Sequence, residues 1–234
     1  MENRMEPIIR AEQVRKKYRE DGNVVEALQG IDLSVRAGEF TAIVGPSGSG
    51  KTTFLNVISG LDTLDGGRVW LGGKLISAMT GSELSDFRRD NIGFIFQAYN
   101  LIPVLTVEEN IEYIMLLQGV PREERRRRVE DMLGEVGLSG MQDRLPTRLS
   151  GGQQQRVAIA RAMVSRPQMI LADEPTANLD SRTGADLVDM MAVLNRKTGM
   201  TFIFSTHDRM IMERAHRVIT LKDGRVEGDE SKGP

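Results

Sequence analysis

The stretch Gly45-Pro46-Ser47-Gly48-Ser49-Gly50-Lys51-Thr52 follows the apolar run Phe40–Val44 and decides how the rest of the chain is read. It fits the phosphate-cradling loop pattern of glycine, four intervening residues, then Gly-Lys-Thr, in full. Its glycines let backbone N–H groups turn toward phosphates. The helix expected from Lys51 puts its positive dipole end at the same point. In such a loop Lys51 reaches the β- and γ-phosphates, and the Thr52 hydroxyl ligates Mg²⁺. The next residue, Thr53, joins the nucleotide-binding set. Lys51–Ser59 has helical spacing, with Phe54, Leu55 and Ile58 on one side. A chance glycine-rich turn would not be flanked by strand and helix in this way.

Outward from the loop, the chain alternates. Ile8–Tyr18 is mixed, Ile31–Val35 alternates, and Asp21-Gly22 and Ala37-Gly38 read as turns. Gly66–Leu71 and Ile92–Phe96 read as further strands. Thr106 followed by Glu109 is a capping-box pattern that opens a helix to about Leu117. Pro121 suits the first turn of a helix running to about Val136, and Gly151–Ser165 is a third. Met169–Ala172, Ser181–Arg196, Thr201–Ser205 and Val218–Leu221 then read as strand, helix, strand, strand. Asp223-Gly224 turns into an expected polar tail. The alternation predicts an α/β fold with a mostly parallel sheet, into which a helical subdomain is set.

Composition bounds the reading. The chain has 234 residues, no cysteine and a net charge of −2. Disulfide and thiolate chemistry are excluded, and there is no global pull toward nucleic acid. The first residues, Met1 to Ile9, carry acidic side chains and no long apolar run, so no secretory signal is expected there. No stretch approaches the roughly 20 apolar residues of a membrane helix, so work at a membrane must go through a partner. The Arg122–Arg128 run, with Glu123 and Glu124 inside it, reads as a solvated helix face.

Met169–Ala172 delivers Asp173 and Glu174 at its end. Ligands of parallel sheets sit at the carboxyl ends of strands. Asp173 is then placed to hold Mg²⁺, and Glu174 to orient or deprotonate an attacking water. Alone, the pattern is weak and more often marks a strand end with two solvated carboxylates; the upstream loop reverses the balance. His207 lies just past Thr201–Ser205, where a side chain can meet a γ-phosphate. Ser150 is a good N-cap, and Gly151 and Gly152 bare the amides of the helix start. From local sequence that is either a second anion site or an ordinary capped helix.

Leu149-Ser150-Gly151-Gly152-Gln153 resembles the signature motif of ATP-binding-cassette ATPases. Gln97 resembles that family's Q-loop, and Asp173-Glu174-Pro175-Thr176 its Walker B. Asn178-Leu179-Asp180 is similar to its D-loop, His207 to its switch histidine, and Tyr18 to its adenine-stacking aromatic. The match covers about residues 8–226, in the family's order. Finer features, Gly93-Phe94-Ile95-Phe96-Gln97 and Asn100-Leu101-Ile102-Pro103, resemble the bacterial lipoprotein-release, macrolide-export and cell-division branch. Many members of that branch have glycine where this chain has Ala177, which puts a glycine-type backbone there in doubt.

The resemblance implies a P-loop, RecA-like parallel core with an N-terminal antiparallel β portion and an inserted helical subdomain. The expected division is one ATPase domain over 6–228, with core about 6–97 and 166–228 and helical part about 98–165. Residues 1–5 and 229–234 are expected as flexible tails. It implies ATP and Mg²⁺ as ligands, with Tyr18, Gly45–Thr53, Ser150–Gln153 and Asp180 binding nucleotide. Thr52, Gln97 and Asp173 would serve the metal, and Glu174, His207 and Gln97 the catalysis. It implies head-to-tail pairing of two copies, a membrane permease as partner, no nucleic acid, and a place on the cytoplasmic face of the cell membrane. Tyr99, Leu101, Ile102, Pro103 and Leu105 are then either packing of the helical part or a docking surface for that permease. The competing classes are a soluble cassette ATPase acting on DNA or ribosomes, and a nucleotide-controlled assembly scaffold.

Overall fold

The computed structural model describes residues 7–20 and 23–232, so the expected turn at Asp21-Gly22 and the first residues of the chain lie outside it. Two sheets form the frame. In the first, β1 (Ile9–Glu20) lies between β2 (Asn23–Val35) and β4 (Gly66–Leu71), and the two-residue β5 (Lys74–Leu75) completes the antiparallel order β2-β1-β4-β5. The second has the order β10-β9-β3-β8-β7-β6. Its strands β3 (Phe40–Val44), β6 (Ile92–Ile95), β7 (Met169–Asp173), β8 (Thr201–Ser205) and β9 (Arg217–Lys222) run parallel. Strand β3 is buried at every position, as a central parallel strand covered on both faces must be.

Helix α1 (Lys51–Ile58) packs Phe54, Leu55 and Ile58 into a core shared by both sheets, joining Ile9, Ile31, Leu71 and Ile203. The other face of the parallel sheet is covered by α6 (Ser181–Thr198) and α5 (Gly151–Met163), through Leu187, Met191, Ile159 and Met163. The second face of α5, with Val157 and Ala160, joins α3 (Val107–Leu117) and α4 (Arg122–Glu135) around Ile111, Met115 and Leu133. Helix α5 is therefore the shared wall between the helical part and the sheet. Burying these side chains is the main driving force, at roughly 1.5–3 kcal/mol each.

The capping boxes decide where helices start. Thr106 accepts from the Glu109 N–H at 3.2 Å, and the Glu109 carboxylate accepts from the Thr106 N–H at 2.7 Å. Pro121 stands just ahead of α4 rather than in its first turn. Asn110, fully buried, ties the preceding loop down: its amide donates to the carbonyls of Ile102, Leu105 and Thr106.

The structure departs from the sequence reading in further places. Strand β2 begins at Asn23 rather than Ile31, because pairing with β1 holds residues whose exposed side chains give no alternation. Helix α2 (Gly81–Asn91) was not expected. It buries only Phe87, so its periodicity is faint, although Thr80 and Glu83 form a capping box that could have disclosed it. Helix α7 (Arg209–Arg214) is a short turn capped by Asp208. The expected polar tail after Gly224 is instead strand β10 (Arg225–Ser231), antiparallel to β9. It reaches past residue 229, the expected start of the tail. An edge strand needs only its ladder, and Arg217 adds a two-pronged bond to Asp229 at 2.7 and 2.6 Å.

Candidate active site

Strands β3, β6, β7 and β8 all point their carboxyl ends to one edge, where a cleft of about 850 Å³ opens. The loop after β3 forms its floor. Gly45 has φ 150°, and a Cβ there would lie 2.1 Å from the Leu221 carbonyl oxygen. Gly50 has φ 99° as the N-cap of α1, and a Cβ there would lie 2.6 Å from the Ala27 carbonyl oxygen. Larger residues would push the loop off both strands. The first turn of α1 has no acidic residue, and its N–H groups have no partner inside the helix. An anion is the complement of such a helix start.

Lys51 is buried, and its ammonium donates to the carbonyls of Gly45 at 2.8 Å and Pro46 at 3.0 Å. The cation spans the loop. The Ser49 hydroxyl is buried without a partner among the described residues. The Thr52 hydroxyl lies 3.1 and 3.2 Å from the two carboxylate oxygens of Asp173. A hydroxyl against a carboxylate, beside a phosphate-type loop, is a fitting oxygen donor set for a small hard cation. No group of three or more His, Cys, Asp or Glu that could hold a metal ion is found among the described residues, and oxygens of phosphate and water would complete such a shell.

Glu174 follows β7 with φ 45°, a costly backbone for a side chain other than glycine. Its N–H donates to the Ser205 carbonyl at 2.8 Å. One carboxylate oxygen accepts from the Thr206 hydroxyl at 3.1 Å, and the other lies 2.8 Å from Nδ1 of His207. The carboxylate is largely sheltered, while the imidazole is 74% exposed. Gln97 lines the cleft, and its carbonyl accepts from the Asn178 side-chain amide at 2.9 Å. Tyr18 stands at the outer wall.

The cleft thus gathers Tyr18, Gly45–Thr53, Gln97, Glu174 and His207, with Asp173 adjoining through Thr52. Ser150–Gln153 and Asp180 are not among its lining residues. Ser150 caps α5, accepting from the Gln153 N–H at 3.3 Å, while Gln153 Oε1 accepts from the Ser150 N–H at 3.0 Å. Gly152 faces Thr183, whose methyl would lie 2.5 Å from a Cβ. Asp180 caps α6; the Thr183 N–H at 3.0 Å helps hold its carboxyl below the usual range. Ala177 has a negative φ, so the absent glycine costs nothing there.

Sequence reasoning missed three supports. The Gly224 N–H donates to the Ser49 carbonyl at 3.1 Å, so the β9–β10 turn props the phosphate loop. Ala27 and Gln29 of β2 line the cleft. Arg161 of α5 donates to the carbonyls of Asn100 at 2.5 Å and Tyr99 at 2.9 Å. The turn was legible as Asp223-Gly224; its role was not, because pairing of distant strands sets it.

The sequence pattern of the ABC transporter family matches residues 28–177. The chain is 45% identical over 226 residues to the macrolide export ATP-binding/permease protein MacB of Brucella melitensis, covering 97% of this chain and 35% of that protein. It therefore spans about a third of the length of the first curated relatives it matches. It is 45% identical over 215 residues to the ABC transporter ATP-binding protein YtrE of Bacillus subtilis, covering 92% of each. Among solved structures it resembles the ATP-binding cassette MJ0796, a dimer in a post-hydrolysis state bound to ADP and Pi. That likeness has a TM-score of 0.88 at 41% identity and covers 97% of this chain and 99% of that one.

Proposed function

Because the chain belongs to the ABC transporter family, as an ATP-hydrolysing cassette, we propose that it powers a membrane complex by pairing with a second copy of itself around ATP. The observation that carries this reading is the separation of two anion-type helix starts. One, at Lys51, floors the cleft; the other, at Gly151, is capped and lies outside it. One chain cannot close both around one nucleotide. Two chains in a twofold arrangement can, each giving its Ser150–Gln153 to the other's cleft. The dimeric cassette MJ0796 is consistent with that pairing.

In this reading Tyr18 stacks on the adenine, and the amides of Gly45–Thr53 hold the phosphates. Lys51 exchanges its two loop carbonyls for phosphate oxygens. Thr52 and Asp173 would hold Mg²⁺, aided by Gln97, and the ion would supply charge neutralisation on the phosphoryl oxygens. Glu174 takes the proton of the attacking water. His207 orients Glu174 and faces the γ-phosphate. Asp180 lies with the partner-facing residues. Loss of the γ-phosphate removes the charge that both helix starts share, and the pair loosens.

The second partner is an integral-membrane permease, and the chain's place is the cytoplasmic face of the cell membrane. None of the described helices is long and apolar enough to cross a membrane, and the MacB relatives carry a permease portion in the same protein. The work driven is export, extraction or mechanical transmission, and the names of the macrolide and bacitracin export relatives favour export. The docking surface we assign is exposed and apolar: Val104, and Tyr113, Leu116 and Leu117 on α3. Leu101 is half-buried and packs against the helical core, which fits the packing role weighed for it. The chain's mass in solution, measured by light scattering with and without ATP, tests the pairing. A mass that never doubles with ATP, even in a hydrolysis-defective variant, overturns it.

A further inference from the structure

Tyr18 is 37% exposed, yet its hydroxyl is not left to water. It donates to Asp62 Oδ2 at 2.7 Å. The other carboxylate oxygen, Asp62 Oδ1, accepts from the Lys16 ammonium at 2.7 Å and from the Thr63 N–H at 2.7 Å. Lys16 is itself buried; it also donates to the Thr63 carbonyl at 2.7 Å and lies 5.1 Å from the centre of the Tyr18 ring. Burial pushes the Asp62 carboxyl up, but the bonds from Lys16, Tyr18 and Thr63 outweigh it and hold it below its usual range. It is therefore an ionised acceptor at neutral pH. Burial and the Asp62 bond push the Tyr18 phenol up, so it stays a donor.

The location of Asp62 gives this closed ring its meaning. Asp62 sits in the loop that follows α1, the helix whose N-terminus floors the phosphate loop. The eight residues of α1 span about 12 Å. The same loop is laced to β1 twice more: the Asp65 N–H donates to the Arg15 carbonyl at 2.8 Å, and Asp65 accepts from the Lys17 N–H at 2.6 Å. The hairpin that carries Tyr18 is otherwise loosely covered, with Val24 and Val25 more than half exposed. A surface aromatic on such a hairpin would sample several rotamers. Tied at its hydroxyl, it is pre-set before a base arrives, which lowers the ordering cost of binding.

We infer that Asp62 is a positioning residue for the nucleotide base: it fixes the Tyr18 ring at a set distance from the phosphate cradle, and Lys16 holds Asp62 in turn. This rests on Tyr18 stacking on the adenine, as proposed above.

The test titrates the full chain by calorimetry with ATP and, separately, with inorganic tripolyphosphate, which has phosphates and no base. Tyr18→Phe and Asp62→Ala are each expected to weaken ATP binding by roughly 2–10-fold, the range of one net hydrogen bond. Tripolyphosphate affinity should stay unchanged in both. The double variant should be no weaker than either single one, because both remove the same bond. Asp62→Ala strips buried Lys16 of its carboxylate, so if it does not fold, Tyr18→Phe, which removes one oxygen, decides alone. Wild-type ATP affinity in Tyr18→Phe, or equal losses on ATP and tripolyphosphate, overturns the tether. Tyr18→Ala separates the premise: an unchanged ATP affinity there sinks the stacking itself, whereas a loss there without a loss in Tyr18→Phe sinks only the role of Asp62.

Discussion

Nδ1 of His207 lies 2.8 Å from Oε1 of Glu174, across the ends of the neighbouring strands β7 and β8. Neither residue reaches the other by accident. Glu174 is held at φ 45° by its N–H bond to Ser205, and Thr206 braces its second oxygen. The imidazole is far more exposed than the carboxylate beside it. A sheltered base with an open edge toward the cleft is what proton abstraction from a bound water needs.

Glu174→Gln keeps the shape and removes the base. ATP binding should be intact, phosphate release should fall by roughly 100-fold or more, and an ATP-dependent dimer should persist. A phosphate-release assay with light scattering reads all three. Hydrolysis at the parent rate would mean that another group activates the water.

Lys51 spends its charge on two loop carbonyls that a nucleotide's phosphates would displace. Lys51→Ala should therefore weaken ATP binding by at least about 10-fold, the effect of one charge-assisted bond. Calorimetric titration checks it. Unchanged affinity would remove the phosphate loop from the account.

The Thr52–Asp173 contact predicts metal dependence. Chelation of divalent cations should abolish phosphate release by the parent chain, and added Mg²⁺ should restore it. Asp173→Asn and Thr52→Ala should each shift the Mg²⁺ concentration for half-maximal rate upward by roughly 10-fold or more, as loss of a metal contact does. A Mg²⁺ requirement unchanged in both variants would place the metal elsewhere.

Most of the cleft was legible because its residues sit in contiguous motifs at strand ends. Gly45–Thr52 and Asp173-Glu174 each carry their own geometry: a strand, a turn and a helix start within a dozen residues. What was hidden depends on pairing between distant segments. Gly224 supports Ser49 only because β9 lies beside β3. Residues 23–30 became a strand only through β1, and β10 only through β9. Hydrophobic periodicity reports burial, so it fails on polar edge strands and on a helix such as α2 that buries one side chain. Leu101 shows the converse, since an apolar residue beside a functional loop turns part of its side chain into the helical core.

Docking of a permease on α3 is separable from catalysis. Tyr113, Leu116 and Leu117 are three and four residues apart, on one exposed face. Leu117→Glu should leave the cassette folded and its basal ATPase unchanged, and should abolish co-purification with, and stimulation by, the permease. Leu101→Asp should instead lower stability by roughly 1–3 kcal/mol, because it puts a carboxylate against the half-buried edge of a core. Permease capture by Leu117→Glu at the parent level would move the docking surface off this face.

Arg161 offers the sharpest separation of binding from turnover. Its guanidinium makes no ion pair among the described residues, and burial pushes its pKa down. It donates to the carbonyls of Tyr99 and Asn100, both in left-handed backbone, at φ 60° and 49°. Those residues lie two and three positions after Gln97, and Arg161 belongs to the helix that Ser150 caps. The side chain therefore straps the Gln97 segment to the helix that would meet a partner's nucleotide. Arg161→Lys keeps the charge but loses the planar fork that serves two carbonyls at once. It should lower kcat by roughly 5–50-fold while the ATP dissociation constant stays within about twofold, since the phosphate loop is untouched. Arg161→Ala should add a modest loss of thermal stability, because it removes both bonds that hold the Tyr99-Asn100 backbone against α5. Steady-state kinetics with parallel ATP titration distinguishes the cases. Equal loss of binding and turnover in Arg161→Lys would make Arg161 a general stabiliser, with no part in setting Gln97.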